Sequence, residues 1–490
     1  MNLLQDNFIS TTVGKISLKT MLTSNKEYQL QYYFDEIQLS MLQLLSSLTT
    51  VVLAPTIIEL KEYIRGGLSV DQYDKACERL ELDWFDTHKF MRSKPLSTSA
   101  KWADAPITKL LSGIECGSSS SAIGLFSDAE AAKVVCPDCT PGLNYNLHMN
   151  IKGECFGPTG ATGIRGGGAI STLIAGHNLK TTLLSNTIAI DYFKKITVLD
   201  DDAEDTPMWV TPQSGSVYQA GRIGLVRGLF ALAYHIDFDV KDAPCCCDVC
   251  GHHSDQSVVN FRRQKYTGHY GSTKNGRDAG AGWWPHPFTP RSIKDDGAEY
   301  AVCARDRSWQ SWQELSGYII GKEMNKANVI PAYIVNQYMH MENPLKTNLL
   351  VGGNIANQGS IIGRIYDLYS MPASLTKYLS RVTLVIDVGL QKKERLSNAL
   401  NKIFGVGYDK SFVGGIKEKA IQQFTANAQQ IIQQTLLDVD RKEASELRKA
   451  AIEALNKEAK KIFLNVQRQY QHDMPLFKAL VRGEVLLYKK

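Results

Sequence analysis

An excess of charge of either sign is missing from this 490-residue sequence: 55 lysines and arginines face 50 aspartates and glutamates, for a net charge of +5. A protein that holds nucleic acid by charge alone is far more basic, so any such contact must be a local patch or be completed by partner subunits. Long apolar runs are missing too. The most apolar stretch, Met41 to Pro55, is broken by Ser46, Ser47, Thr49 and Thr50 and falls short of the roughly 20 residues that cross a bilayer. The opening Met1-Asn2-Leu3-Leu4-Gln5-Asp6 has no basic segment leading into an apolar core, so no secretory signal is expected. These absences point to a cytoplasmic protein that touches no membrane. With 43% hydrophobic and 21% charged residues the composition is ordinary for a globular chain, and the length suits two to four domains.

Cysteine, by contrast, is present ten times. In a reducing compartment, clustered cysteines bind metal more often than they form disulfides. Cys136-Pro-Asp-Cys139 and Cys247-Asp-Val-Cys250 are two Cys-x-x-Cys pairs. A two-residue gap lets both thiolates of one turn reach the same ion, and two pairs supply the four soft ligands of a tetrahedral zinc. Their separation of about 110 residues exceeds that of a compact zinc ribbon, so unliganded thiols and a redox dithiol stay open as other readings. Cys245 and Cys246 before the second pair, and His252 and His253 after it, leave the ligand set open. Four thiolates fill the shell and leave no place for water, which makes the ion structural rather than catalytic.

Phe8 to Val13 reads as a strand, Asp35 to Thr50 as a helix closed by Pro55, and Asp71 to Leu82 as a helix capped by Ser69. From Ser93 to Gly168 glycine, serine, proline and threonine dominate, and from Ala169 to Tyr366 strand-like and helix-like runs alternate. After Tyr369 the texture is helical. Leu375, Leu379, Val382 and Ile386 share one face; Ile416, Ala420, Phe424, Ala428 and Ile431 a second; Leu447, Ala451, Ala454 and Ile462 a third; Leu476, Leu480 and Leu487 a fourth. Gly405, Gly407, Gly414 and Gly415 mark the first break, and Pro475 suits a first helical turn. The fold class expected is α+β: a mixed α/β domain over residues 1–369 holding the zinc, then a four-helix bundle over 370–490.

The run Gly157 to Gly168 carries glycine at every third position four times. It is too short for a collagen helix, and no Gly-Lys-Ser/Thr follows to make a phosphate loop. Without Cβ atoms such a backbone can approach something flat or anionic closely, and Arg165 adds charge; a tight surface loop is the alternative.

These landmarks, in order, resemble the CasA family, the large subunit of the type I-E CRISPR Cascade complex. The resemblance lies in Met1-Asn2-Leu3-Leu4-Gln5-Asp6-Asn7-Phe8-Ile9, Gly163-Ile164-Arg165-Gly166-Gly167, Val226-Arg227-Gly228-Leu229-Phe230, Trp284-Pro285-His286-Pro287 and Gly352-Gly353-Asn354-Ile355-Ala356-Asn357-Gln358-Gly359, with the cysteine pairs between them. It covers nearly the whole chain. It implies a non-catalytic subunit that binds the guide RNA, joins backbone, small and 5′-handle-capping subunits, and reads a protospacer-adjacent motif in double-stranded DNA. Such a subunit starts strand separation and recruits a helicase–nuclease, while guide pairing reads the remaining sequence.

Site residues follow by the same resemblance. Asn357-Gln358-Gly359 matches a glutamine wedge on a hairpin turn, whose planar amide meets an exposed base edge. Cys155 to Gly160, with Gly157 and Gly160, corresponds to a loop that approaches the minor groove; Pro158 and Thr159 depart from the family's glycines, and proline lacks an N–H donor. Lys274, with Arg277 behind it, is the candidate for a minor-groove lysine, against a solvated surface lysine. Phe126 is the nearest match to an aromatic that touches the guide RNA, against a buried anchor. Two other classes remain. Asp200-Asp201-Asp202-Ala203-Glu204-Asp205 could hold Mg²⁺ in a zinc-supported nuclease, although no histidine–carboxylate spacing recurs, and the bundle could serve a pure scaffold.

Overall fold

The computed structural model describes residues 1–93, 102–111, 132–151, 153–196, 199–201, 203–213, 215, 217–266, 268–271, 284–293, 299–304, 308–320, 323–324, 327–341, 345–357 and 360–488. Strands and helices alternate up to Met371, and every element described beyond Leu375 is helical, as the α+β reading expects.

The first long element is the helix Asp35–Leu53. Asp35 and Glu36 sit in its first turn, where carboxylates complement the helix dipole. It extends further than its apolar run and is the one described helix long and apolar enough to cross a membrane, yet 94% of that window is buried inside the fold. Its serines and threonines do not interrupt it, because most of their hydroxyls find partners: Thr49 and Thr50 donate to the carbonyls of Leu45 and Ser46, and Ser40 to that of Gly142, while the buried Ser46 hydroxyl has none among the described residues. The next predicted helix is shorter than its pattern. Ser69 caps Val70–Cys77 in a reciprocal box with Gln72, and the chain then tightens into a 3₁₀ turn at Leu82–Phe85.

The central sheet has Thr347–Asn357 in the middle, antiparallel to Ser360–Met371 on one side and to Ser171–Ala175 on the other. A second sheet orders Ala103–Pro106, Ser257–Lys265 and Tyr234–Lys241. Two of the landmarks prove to be one packing unit. The Trp284 indole donates to the Ile223 carbonyl at 2.9 Å, and a Cβ on Gly228 would stand 2.2 Å from that ring.

Four helices close the chain: Leu379–Leu400, Lys410–Leu436, Ala444–Gln469 and Met474–Tyr488, with Pro475 in the first turn of the last. They pack on one another, and their buried stripes run close to the expected ones. Ile432 and Leu455 are buried next to the expected Ile431 and Ala454, which are half-buried, as is Ile416. The bundle is seated on the sheet: Tyr369 donates to Gln429 at 2.9 Å, and the Trp312 indole to the Thr425 carbonyl at 3.0 Å.

Gly414 and Gly415 do not mark a break. Asp409 caps the second helix through the N–H groups of Ser411 and Phe412, so the helix has begun before them. A Cβ at either glycine meets nothing within 4 Å, and neither has a positive φ. Gly414→Ala and Gly415→Ala are each expected to stabilise the chain by about 0.5–1 kcal/mol, seen as a higher denaturation midpoint.

Candidate metal centre and nucleic-acid interface

The two cysteine pairs converge. Cys136 and Cys139 flank a 3₁₀ turn with Pro137 at its start, where the Cys139 N–H donates to the Cys136 carbonyl at 3.1 Å. Cys247 and Cys250 flank a second tight turn, closed by the Gly251 N–H on the Cys247 carbonyl at 2.8 Å. Val135 pairs with Val258 and holds the turns together. Asp248 reinforces the junction by accepting the N–H groups of Lys133 and Val134.

All four sulfurs are buried and lie within 4.8 Å of one another, with Cys136–Cys139 and Cys139–Cys247 at 3.7 Å and Cys136–Cys250 at 3.8 Å. Zinc–sulfur bonds of about 2.3 Å at tetrahedral angles place sulfurs about 3.8 Å apart, so the cluster fits the ion. Hydrogen bonds with Cys136 and Cys139 pull the Cys247 thiol far down, whereas hydrogen bonds with Cys136, Cys247 and Cys250 push Cys139 well up. Four sulfurs this close cannot all be thiolates without a cation between them. Among the described residues, these four cysteines are the ones that geometry brings together. Cys245 and Cys246 turn away onto the carbonyls of Gln256 and Gly251, and His252 contacts Ser10. Lys15, 3.7 Å from the Cys136 sulfur and paired with Asp138, is a neighbour that the sequence did not signal.

The glycine-rich segment is part packed and part open. Gly157 is exposed with φ 55° and ψ −134°, a conformation for glycine, and has open space around it. Gly160 is the opposite case, since its Cβ would sit 1.8 Å from the Gly153 carbonyl oxygen. Gly160→Ala is therefore expected to cost roughly 1–3 kcal/mol by displacing this loop, read as a lower unfolding midpoint. Thr159 donates to the Phe156 carbonyl and accepts from Arg263, whose guanidinium lies 3.9 Å over the Phe156 ring. This clamp was not legible in the sequence, because Arg263 is about a hundred residues away.

Arg165 does not add charge to a surface. It is fully buried, and its donors go to Thr289, the Met149 and Ile170 carbonyls, Asn150 and Ser171. None of these acceptors is charged, and burial pulls its pKa down to about 10. Such a fork organises the backbone around it rather than meeting a phosphate.

The end of the central hairpin lies beside this segment. Asn357 pairs with Ser360, leaving two residues between the paired strands. Arg364, on the return strand, donates to Asn354 and to Asp35 and so ties the hairpin to the start of the long helix. Ala304 bridges to Ile355, Ala169 bridges to Cys303, and a Cβ on Gly168 would rest 3.8 Å from that of Ala356. Of the expected site residues, Gln358, Gly359, Lys274, Arg277 and Phe126 lie outside the described residues.

Three residues of the acidic run are committed elsewhere. Asp205 accepts the N–H of Val226 at 2.6 Å, Glu204 stands 3.4 Å from the buried Arg227, and Asp200 stands 3.7 Å from Arg222. Burial raises the Asp205 carboxyl, although these N–H groups oppose it. Among the described residues, the four cysteines are the one cluster of metal-ligating side chains.

Solved structures carry this fold. CasA (Cse1) from Thermus thermophilus matches with a TM-score of 0.70 at 14% identity, over 99% of this chain and 98% of that one. CRISPR-associated protein Cse1 from Acidimicrobium ferrooxidans matches at 0.66 and 13%, over 99% and 97%. A chain of a CRISPR RNA-guided surveillance complex matches at 0.66 and 14%, over 100% and 99%. The fold is thus that of CasA, an α+β body with a helical C-terminal end. The family model for CRISPR-associated protein Cse1 matches residues 2–466, and the chain belongs to that family.

Proposed function

We propose that the chain is the non-catalytic large subunit of a CRISPR Cascade surveillance complex that recognises a protospacer-adjacent motif in double-stranded DNA and starts strand separation for guide-RNA pairing. The observation that supports this is the contact of the far end of the glycine-rich segment, at Gly168, with Ala356 near the end of the central hairpin. A backbone freed of side chains at Gly157 suits close approach to a groove, and a hairpin anchored on both edges suits a wedge. In this reading Asn357, Gln358 and Gly359 part the duplex, Gly157, Gly160 and Lys274 meet the minor groove, and Phe126 touches the guide RNA. The four cysteines hold structural Zn²⁺ and supply no chemistry. The body over 1–369 and the bundle over 370–490 act as two domains in the cytoplasm, with backbone, small and handle-capping subunits as neighbours and a helicase–nuclease as the recruited effector. Modest net charge agrees with a subunit whose partners carry much of the electrostatic grip. The test is binding of motif-bearing duplex by the assembled complex, against the same duplex with the motif scrambled. Equal binding to both would sink the proposal.

A further inference from the structure

On the other side of the glycine-rich segment is a cavity of about 530 Å³, within the range of pockets that enclose a small ligand, roughly 300–1,000 Å³. Thr162, Gly166 and Gly167 form one wall, and Lys265 and His269 stand exposed at its rim. Three tyrosines, Tyr218, Tyr266 and Tyr270, line it, with Tyr218 edge-on to Tyr270 at 5.2 Å and to Tyr266 at 6.2 Å.

Two of these three hydroxyls are engaged. Tyr270 donates to the Leu232 carbonyl at 2.6 Å, and Tyr266 accepts the Gln213 N–H at 3.3 Å. The Tyr218 hydroxyl is buried and has no hydrogen-bond partner among the described residues. A buried hydroxyl left unpaired costs about 1–3 kcal/mol, and here its residue lines the cavity. The protein holds it there on purpose-built geometry. Tyr218 lies on the short strand Val217–Gln219, paired in parallel with His269–Gly271, and its ring is seated on Gly268, where a Cβ would stand 2.7 Å from it.

We propose that this cavity receives one unstacked nucleotide, with the base inward and the phosphate at the rim. Each part of the ligand has a counterpart. The tyrosine faces and edges suit a flat aromatic base, the Tyr218 hydroxyl supplies a donor or acceptor to a base edge, and the Lys265 ammonium suits a phosphate. The same chemistry has two sources: a free mononucleotide, or a nucleotide turned out of a DNA strand opened beside the hairpin. Only the second source rests on the proposed DNA-reading function.

Photocrosslinking with 5-iodouracil separates the cases. The first arm irradiates the purified full-length chain with 5-iodouridine 5′-monophosphate. The second irradiates the assembled complex with motif-bearing duplexes carrying 5-iodouracil at single positions next to the motif on either strand. Peptide mapping is expected to find the adduct on Tyr218, Tyr266 or Tyr270. It should disappear in Thr162→Trp, which fills the mouth from an exposed position, and fall severalfold in Tyr218→Phe, which keeps the ring and the fold. An adduct from the monophosphate alone identifies a free nucleotide as the source. No adduct on these tyrosines in either arm overturns the pocket. Duplex binding scored on the same samples keeps the two ideas apart: motif-dependent binding without an adduct sinks the pocket alone, whereas an adduct from the monophosphate without motif-dependent binding sinks the DNA-reading function alone.

Discussion

Serine in place of Cys139 is expected to strip the chain of its metal and to loosen the whole N-terminal half. Elemental analysis of the wild-type protein should find about one zinc per chain, the count that one four-sulfur shell takes, and the variant should hold none. The expected destabilisation is large for two reasons. Structural zinc contributes of the order of 10 kcal/mol of binding free energy, which becomes folding free energy when the site exists only in the folded chain. The ion also joins segments 108 residues apart, and closing a loop of that size is worth about 4–5 kcal/mol by chain entropy. The consequences spread because the first pair leads directly into the helix Thr140–Met149. That helix packs on Asp35–Leu53, where a Cβ on Gly142 would stand 2.4 Å from the Met41 sulfur. Cys246→Ser is the control, since that sulfur is exposed and turned onto the Gly251 carbonyl. It should leave the metal and the melting temperature unchanged. A wild-type protein that is folded and free of metal would refute the staple.

In the assembled complex, Asn357→Ala with Gln358→Ala is expected to weaken binding of motif-bearing duplex by roughly tenfold or more. Unstacking and unpairing a base step costs a few kcal/mol, and each 1.4 kcal/mol of lost compensation is a factor of ten. A target opened beforehand next to the motif no longer needs a wedge and should bind nearly as well as it does to the wild type. The hairpin should survive the change, because its register is set by the paired strands and by Arg364 on Asp35 rather than by the turn. Equal losses on closed and opened targets would sink the wedge assignment. Divalent-metal-dependent cleavage of DNA by the chain alone would revive the nuclease. The engagement of Glu204 and Asp205 with Arg227 and the N–H of Val226 argues against it.

The features legible in the sequence were those carried by neighbours in the chain. The Cys-x-x-Cys turns, the Ser69 cap and the four amphipathic stripes each depend on residues a few positions apart, and hydrogen bonding and periodicity act at that range. Local signals left a choice open, or pointed the wrong way, where a distant segment decided the outcome. Cys247 rather than Cys245 or Cys246 faces the first pair because Val135 pairs with Val258. Arg165, charged and set among glycines, reads as a surface residue, yet Thr289 and the Met149 carbonyl come from elsewhere to enclose it. Gly414 and Gly415 are the exception, since the missed signal was itself local: Asp409 caps the helix before them, and the helix carries them at a modest cost. Tyr218 carries no motif at all, and only the crossing of two short parallel strands places its unpaired hydroxyl at a cavity. The sequence alone determined the local turns, the helical period and, through its ordered landmarks, the family. Tertiary structure decided which cysteines meet, which arginine is buried and which glycines are open, because burial and convergence depend on segments that are distant in the chain.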